Sequence, residues 1–175
     1  MRFCNSLYVL ILMACVAVPM ASQSAMKGRV FAISRTGDLL PGRMAQGFLF
    51  PCERVKNVAA GEPENVCAFL LSAEHERNAP CNRYATGSTS ESRCLYSAAM
   101  SSLSDTLEWA KQHRARIISF YADEEGRFTV SSVEGIFAVY VYGQAGIQDC
   151  IWQEIIKTAP SNLKLSAPLL SRPLS

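Results

Sequence analysis

The sequence is poor in charge. Asp, Glu, Lys and Arg together make up 18% of its 175 residues, and the formal net charge is +2. No Lys/Arg run exceeds two residues. Proteins that bind nucleic acid concentrate basic residues to neutralise phosphates, so no nucleic-acid partner is expected. Histidine is scarcer still, with two residues, which leaves little material for a His-based metal site. There is no C-x-x-C, which weakens redox and zinc-ribbon readings. G-x-S-x-G, Walker and dinucleotide motifs are also absent, and no cofactor is implied. Internal repeats and low-complexity tracts are missing. Apolar residues, by contrast, reach 49%. That composition excludes a disordered chain, and the length suits one domain with a real core.

The first residues read as an address. After Met1-Arg2 the chain runs apolar from Leu7 to Val18, too short for the ~20 residues that a helix needs to span a bilayer core. Pro19 and small residues through Ala25 follow, and charge returns at Lys27. A basic start, a short apolar run and a small-residue exit make residues 1–25 a secretory signal peptide, with cleavage expected between Ala21 and Ala25. A competing reading exists. Leu12-Met13-Ala14-Cys15 resembles a lipobox, in which Cys15 would be lipidated and hold the protein at a membrane surface. A membrane is a partner only in that case. Either way the protein is expected to be exported, to a periplasmic, cell-surface or extracellular location.

Export places the cysteines in an oxidising compartment, where disulfides are permitted. Of seven Cys, Cys4 and Cys15 fall in the signal, leaving Cys52, Cys67, Cys81, Cys94 and Cys150. One or two bridges and a spare buried thiol are expected. Cys81 and Cys94 flank a polar stretch of twelve residues ending at a helix start. Their pairing would stabilise by ~3 kcal/mol in the chain-entropy description. Cys52–Cys67 is the rival pairing.

Along the remaining chain, residues 27–34 (KGRVFAIS) alternate as a strand that is apolar on both sides. Residues 35–38 are a turn, 39–42 a second loop, and 43–50 (RMAQGFLF) a second strand closed by Pro51. Val66, Phe69, Leu70 and Ala73 form a helical stripe that Asn78-Ala79-Pro80 stops. Residues 86–92 (TGSTSES) read as a polar loop. A longer helix is predicted over 92–113, with Leu95, Ala99, Leu103 and Leu107 stacked at i+4. After Arg116 the period returns to two, with strands at 117–122, 127–131, 136–142, 150–157 and 163–167. Short strands separated by turns predict a β-sandwich spanning 26–167, with a helical insertion at 52–114 and a loose tail at 168–175.

Gly28-x-Val30, Gly37, Leu40-Pro41-Gly42, Asp123-x-x-Gly126-x-Phe128-x-Val130 and Val133-x-Gly135-x-Phe137-x-Val139-x-Val141 resemble carboxypeptidase-regulatory-like domains. These are antiparallel, prealbumin-like (transthyretin-like) sandwiches grouped with starch-binding-like folds. The resemblance covers about half of the chain after the signal. It implies an exported, non-catalytic module used for ligand binding, adhesion or domain support, with carbohydrate or a cell-envelope protein as partner. Three departures stand out: Phe137 where Tyr is usual, Arg43-Met44 where a small residue is customary, and the insertion itself.

Candidate chemistry is thin. Glu74-His75-Glu76 is not H-E-x-x-H and reads as a solvated helix end. His113 suits a helix C-terminus. Asp123-Glu124-Glu125 falls short of a calcium ligand set, so no metal site is expected. No catalytic residues are assigned. The enzyme alternative is a small secreted hydrolase pairing Cys67 or Cys81 with a histidine. For binding, Tyr121, Tyr140, Tyr142 and Trp152 lie on predicted strands and could stack on sugar rings. Coplanar exposed rings would favour carbohydrate, whereas coverage by the insertion would favour a scaffold. If Phe137, Val139 and Val141 face the core, alternation turns Ala138, Tyr140 and Tyr142 outwards. Likewise Val30 and Ala32 point in, and Phe31 and Ile33 out. Burying one such Phe or Ile is worth about 1.5–3 kcal/mol. The 92–113 helix is therefore predicted to pack on an outer sheet face.

Overall fold

The computed structural model describes residues 25–34, 36–56, 58–131, 134–157, 162–166 and 168–170. Of the expected signal peptide 1–25, residues 1–24, with the lipidation candidate Cys15, lie outside the described residues, whereas Ala25 opens the first strand. Alternation sets the strands. In β1 (Ala25–Ile33) Met26, Gly28, Val30 and Ala32 are buried, and the residues between them are exposed or half-buried. β2 (Leu39–Pro51) begins earlier than predicted. Leu39, Leu40 and Pro41 pair with Ile33, Ala32 and Phe31, so the expected loop at 39–42 is the second arm of a hairpin.

The remaining strands are β3 (Ile118–Tyr121), β4 (Arg127–Ser131), β5 (Phe137–Ala145), β6 (Gln148–Ile156), β7 (Asn162–Leu165) and β8 (Leu169–Leu170). They form two layers. Sheet 1 has the order β4-β1-β7, and sheet 2 the order β3-β2-β5-β6-β8. The β1–β2 hairpin joins the layers. Pairing is antiparallel throughout except between β1 and β7, which run parallel because β7 reaches sheet 1 by crossing over from sheet 2. β8 pairs with β6, so the chain expected to be loose from Pro168 contributes at least two more paired residues.

Inner faces meet in a core that includes Met26, Val30, Leu49, Phe137, Val139, Val141, Trp152 and Leu165. At one edge Phe120 and Phe128 stack across the layers with ring centroids 4.4 Å apart. Each ring lies over a glycine of the neighbouring strand. A Cβ at Gly47 would sit 2.1 Å from the Phe120 ring, and one at Gly28 2.1 Å from the Phe128 ring. Only the missing side chain makes room for these rings.

The insertion folds as two helices. α1 (Val66–Asn78) is capped by Asn65, whose side chain accepts the Ala68 N–H, and runs into a 3-10 turn over Ala79–Arg83. α2 (Thr89–Gln112) begins before the predicted residue 92, because Ser88 accepts the Glu91 N–H while the Glu91 carboxylate accepts the Gly87 N–H. Both helices cover the outer face of sheet 2. Phe50, Ala138, Tyr140 and Ile151 meet Val66, Leu70, Ala99, Leu103 and Trp109 in a second core. The fold is thus locally three-layered. Leu95 and Leu107 are only half-buried, while Ala98, Ser102, Thr106 and Trp109 are buried, because α2 packs on α1 as well as on the sheet. On β1, Phe31 is half-buried and Ile33 exposed, as the helices cover sheet 2 alone.

Disulfides pin this insertion. Cys81–Cys94 joins the 3-10 turn to α2 with Cα atoms 5.6 Å apart. Cys52–Cys67, weighed as the rival pairing, is present too and ties the end of β2 to α1 at 5.3 Å. The fifth cysteine of the described residues, Cys150, is a buried free thiol pushed up to about 11 chiefly by desolvation.

Candidate functional site

Alternation and the helical layer decide the fate of the four aromatic candidates. Tyr140 faces the helices, is 1% exposed, and donates its hydroxyl to Glu74 of α1. Trp152 faces the opposite way, into the inner core, also at 1%, with Nε1 donating to the Phe31 carbonyl at 2.9 Å. Tyr142 is half-buried and donates to the Gln46 side chain. Tyr121 alone is open, at 67%. The four rings therefore form no shared platform, and the outer face of sheet 2 is occupied by the protein's own helices.

The chemical candidates are likewise spent on structure. Cys67 and Cys81 are disulfide-bonded, so the hydrolase reading loses both of its nucleophiles. His75 and Glu76 are exposed, but Glu74 departs from the expected solvated helix end: it turns inward, and desolvation raises its carboxyl above the usual range, partly offset by the Tyr140 hydrogen bond. His113 stacks on Trp109 at 4.4 Å, with Nδ1 2.9 Å from the Trp109 carbonyl. Asp123 is consumed within its own turn. Its Oδ1 accepts the N–H groups of Arg127 (2.8 Å) and Glu125 (2.9 Å), and its Oδ2 accepts Arg127 Nε at 3.1 Å. The Arg127 N–H, foremost among these contacts, holds the carboxyl below its ordinary value. Among the described residues no group of three or more His, Cys, Asp or Glu could hold a metal ion.

What remains open is the outer face of sheet 1. Its register puts Thr129, Lys27 and Asn162 in one row across β4, β1 and β7, and Arg127, Arg29 and Lys164 in the next. All six are exposed. Neighbouring strands lie ~4.8 Å apart, which sets the spacing along each row. Arg29 donates Nε to the Glu125 carbonyl at 3.1 Å. Arg127 is held by Asp123 and Glu125. Lys27, Arg29 and Lys164 take part in no ion pair among the described residues. Tyr121 and Asp123 border the same depression of about 650 Å³. Comparable depressions lie beside the 54–64 loop, lined by loop residues, and beside the 3-10 turn, lined by the end of α1 and the first half of α2. This one rests on paired strands, which hold their side chains rigidly. Sequence periodicity contains half of the signal, in Lys27-x-Arg29, Arg127-x-Thr129 and Asn162-x-Lys164. The pairing of β1 with β7, which assembles them, has no local signature.

Fold and site geometry together define a disulfide-pinned β-sandwich with a helical overlay and an uncovered polar depression on sheet 1. Two disulfides fit an oxidising compartment, and among the described residues no helix is long and apolar enough to cross a membrane. No protein-family model matches the chain, and no curated protein matches it in sequence. Among solved structures, a candidate carbohydrate-binding protein from Pseudomonas aeruginosa aligns over 83% of this chain and 88% of its own, at 9% identity and a TM-score of 0.38. The pilus backbone protein RrgB of Streptococcus pneumoniae aligns over 81% of this chain and 40% of its own, at 9% identity and a TM-score of 0.27. At such scores the assignment of the fold rests on the strand order and layering themselves.

Proposed function

We propose that the chain is a non-catalytic, exported binding module of the transthyretin-like, carboxypeptidase-regulatory-like type, with carbohydrate as its ligand class. One observation carries the reading. The helices close the outer face of sheet 2, while the outer face of sheet 1 stays open, polar and bordered by the exposed Tyr121 ring. A tyrosine ring offers a stacking surface, and Thr129 and Asn162 supply donors and acceptors for sugar hydroxyls. The helix-covered face, with Tyr140 beneath it, serves as support. The glycine pattern favours the transthyretin-like type. Gly126 has φ +74 and lies against the Val30 carbonyl, where a Cβ would come within 2.3 Å.

Export follows from the apolar run at 7–18 together with the two disulfides. Cleavage between Ala21 and Ala25 releases the protein, whereas lipidation of Cys15 would retain it at a membrane. Intact-mass measurement of the exported protein separates the two. A glycan array probed with that protein should give binding that Tyr121→Ala weakens while the melting temperature holds. An array blank for every saccharide class would remove the binding reading.

A further inference from the structure

We propose that the open face of sheet 1 binds an acidic polysaccharide, a chain bearing uronate carboxylates, lying across the strands. This rests on the reading of that face as a glycan site and specifies its ligand. The outward positions of β1, β4 and β7 that carry charge are Lys27, Arg29, Arg127 and Lys164, and no outward position on these strands is acidic. In a chain of net charge +2 this is a local concentration of one sign.

The acids at the rim neutralise Arg127 and leave Lys27, Arg29 and Lys164 as the cations a ligand can meet. Asp123 and Glu125 are committed to Arg127, and Glu125 meets Arg29 through its backbone carbonyl. Contact through Nε leaves the terminal nitrogens of Arg29 free to fork onto a carboxylate. Lys27 and Lys164 add two cations without a carboxylate partner among the described residues. The row from β4 to β7 covers two strand steps, ~9.6 Å, close to the length of two linked pyranose rings. Neighbouring acidic sugars can therefore meet Arg29 and Lys164 on adjacent strands, with Lys27 beside them, while hydroxyls reach Thr129 and Asn162.

A neutral glycan would leave these cations unmatched and would find one stacking ring, Tyr121. A single-stranded nucleic acid calls for several exposed stacking rings along its path, and among the residues lining this depression Tyr121 is the one exposed ring.

The test uses the full-length exported protein in affinity electrophoresis and calorimetry. Probes are polygalacturonate, neutral dextran, an oligodeoxythymidylate and phosphatidylglycerol-containing vesicles, each at low and physiological salt. Polygalacturonate should bind best and weaken with salt. The Lys27→Gln/Lys164→Gln double variant should lose about tenfold in affinity, the scale of two exposed charge contacts. Its melting temperature should stay unchanged, since both side chains are exposed. Arg29→Gln gives an independent second variant. Neutral glycan binding that Tyr121→Ala abolishes and the Lys27/Lys164 variant leaves intact would overturn the acidic-ligand inference while keeping the glycan reading. Preferential binding of the oligonucleotide or the vesicles would overturn the inference as well. Absence of binding to any glycan would overturn both.

Discussion

Glu74 shows how one half-buried carboxyl couples the helical layer to the sheet. Desolvation raises its pKa, so the native state holds this proton more tightly than the unfolded chain does. The stability linked to this proton is full below the ordinary carboxylate pKa and is lost as pH rises through the raised folded value. Glu74→Gln keeps an acceptor for the Tyr140 hydroxyl and removes the charge. Its urea midpoint should exceed that of the parent at pH 7, and the two should converge near pH 4. Tyr140→Phe, which strips the carboxyl of its partner, should cost about 1–2 kcal/mol in the same measurement. Glycine matters at Gly47 for the opposite reason, since it must stay empty. Gly47→Ala puts a methyl into the Phe120 ring and disturbs its stack on Phe128, so a loss of about 1–3 kcal/mol is expected from thermal or urea melts.

At the scale of elements, the helical layer is a second core and not an appendage. Leu103 is 3% exposed beneath α2, and Leu103→Ala should cost about 2–5 kcal/mol in a thermal melt. Leu107→Ala, half-buried, should cost clearly less. Removing the Cys81–Cys94 bridge with a Cys81→Ser/Cys94→Ser pair should destabilise by ~3 kcal/mol in urea titrations, read against a reduced parent as control. These elements were legible in the sequence because each rests on a local rule. The i+4 stripe marked α2, Asn78-Ala79-Pro80 marked the end of α1, and the alternation in 137–141 assigned Val139 inwards and Tyr140 outwards. Where periodicity competed with longer-range pairing it misled. Leu39-Leu40-Pro41-Gly42 has turn composition, yet the hairpin with Phe31–Ile33 draws it into a strand. α2 starts ahead of the predicted residue 92 because Ser88 and Glu91 act as caps inside a stretch that reads as a polar loop.

The candidate site belongs to the whole molecule, so its aromatics are visible in the sequence and its face is not. Tyr121, Tyr140, Tyr142 and Trp152 share strand residence, but burial depends on which layer covers each strand, and that is a tertiary fact. The open face itself is the product of one pairing, β1 between β4 and β7. β1 is the first strand among the described residues, and both of its flanking partners come from the last third of the chain. Such non-local pairing must meet the entropy of closing long loops before any contact rewards it, and topologies of this kind fold in milliseconds to seconds. The α1–α2 pair, closed by short connections, can form far sooner. In a refolding experiment with disulfides intact, the helical circular-dichroism signal should therefore recover before a bound-glycan signal does. Simultaneous recovery of both would show that β1 is flanked early. If the helical signal does recover first, the proposed recognition has an order in time: the overlay stands while the open face of sheet 1 still awaits its final strand, and chains caught before that step would be folded in part and unable to bind.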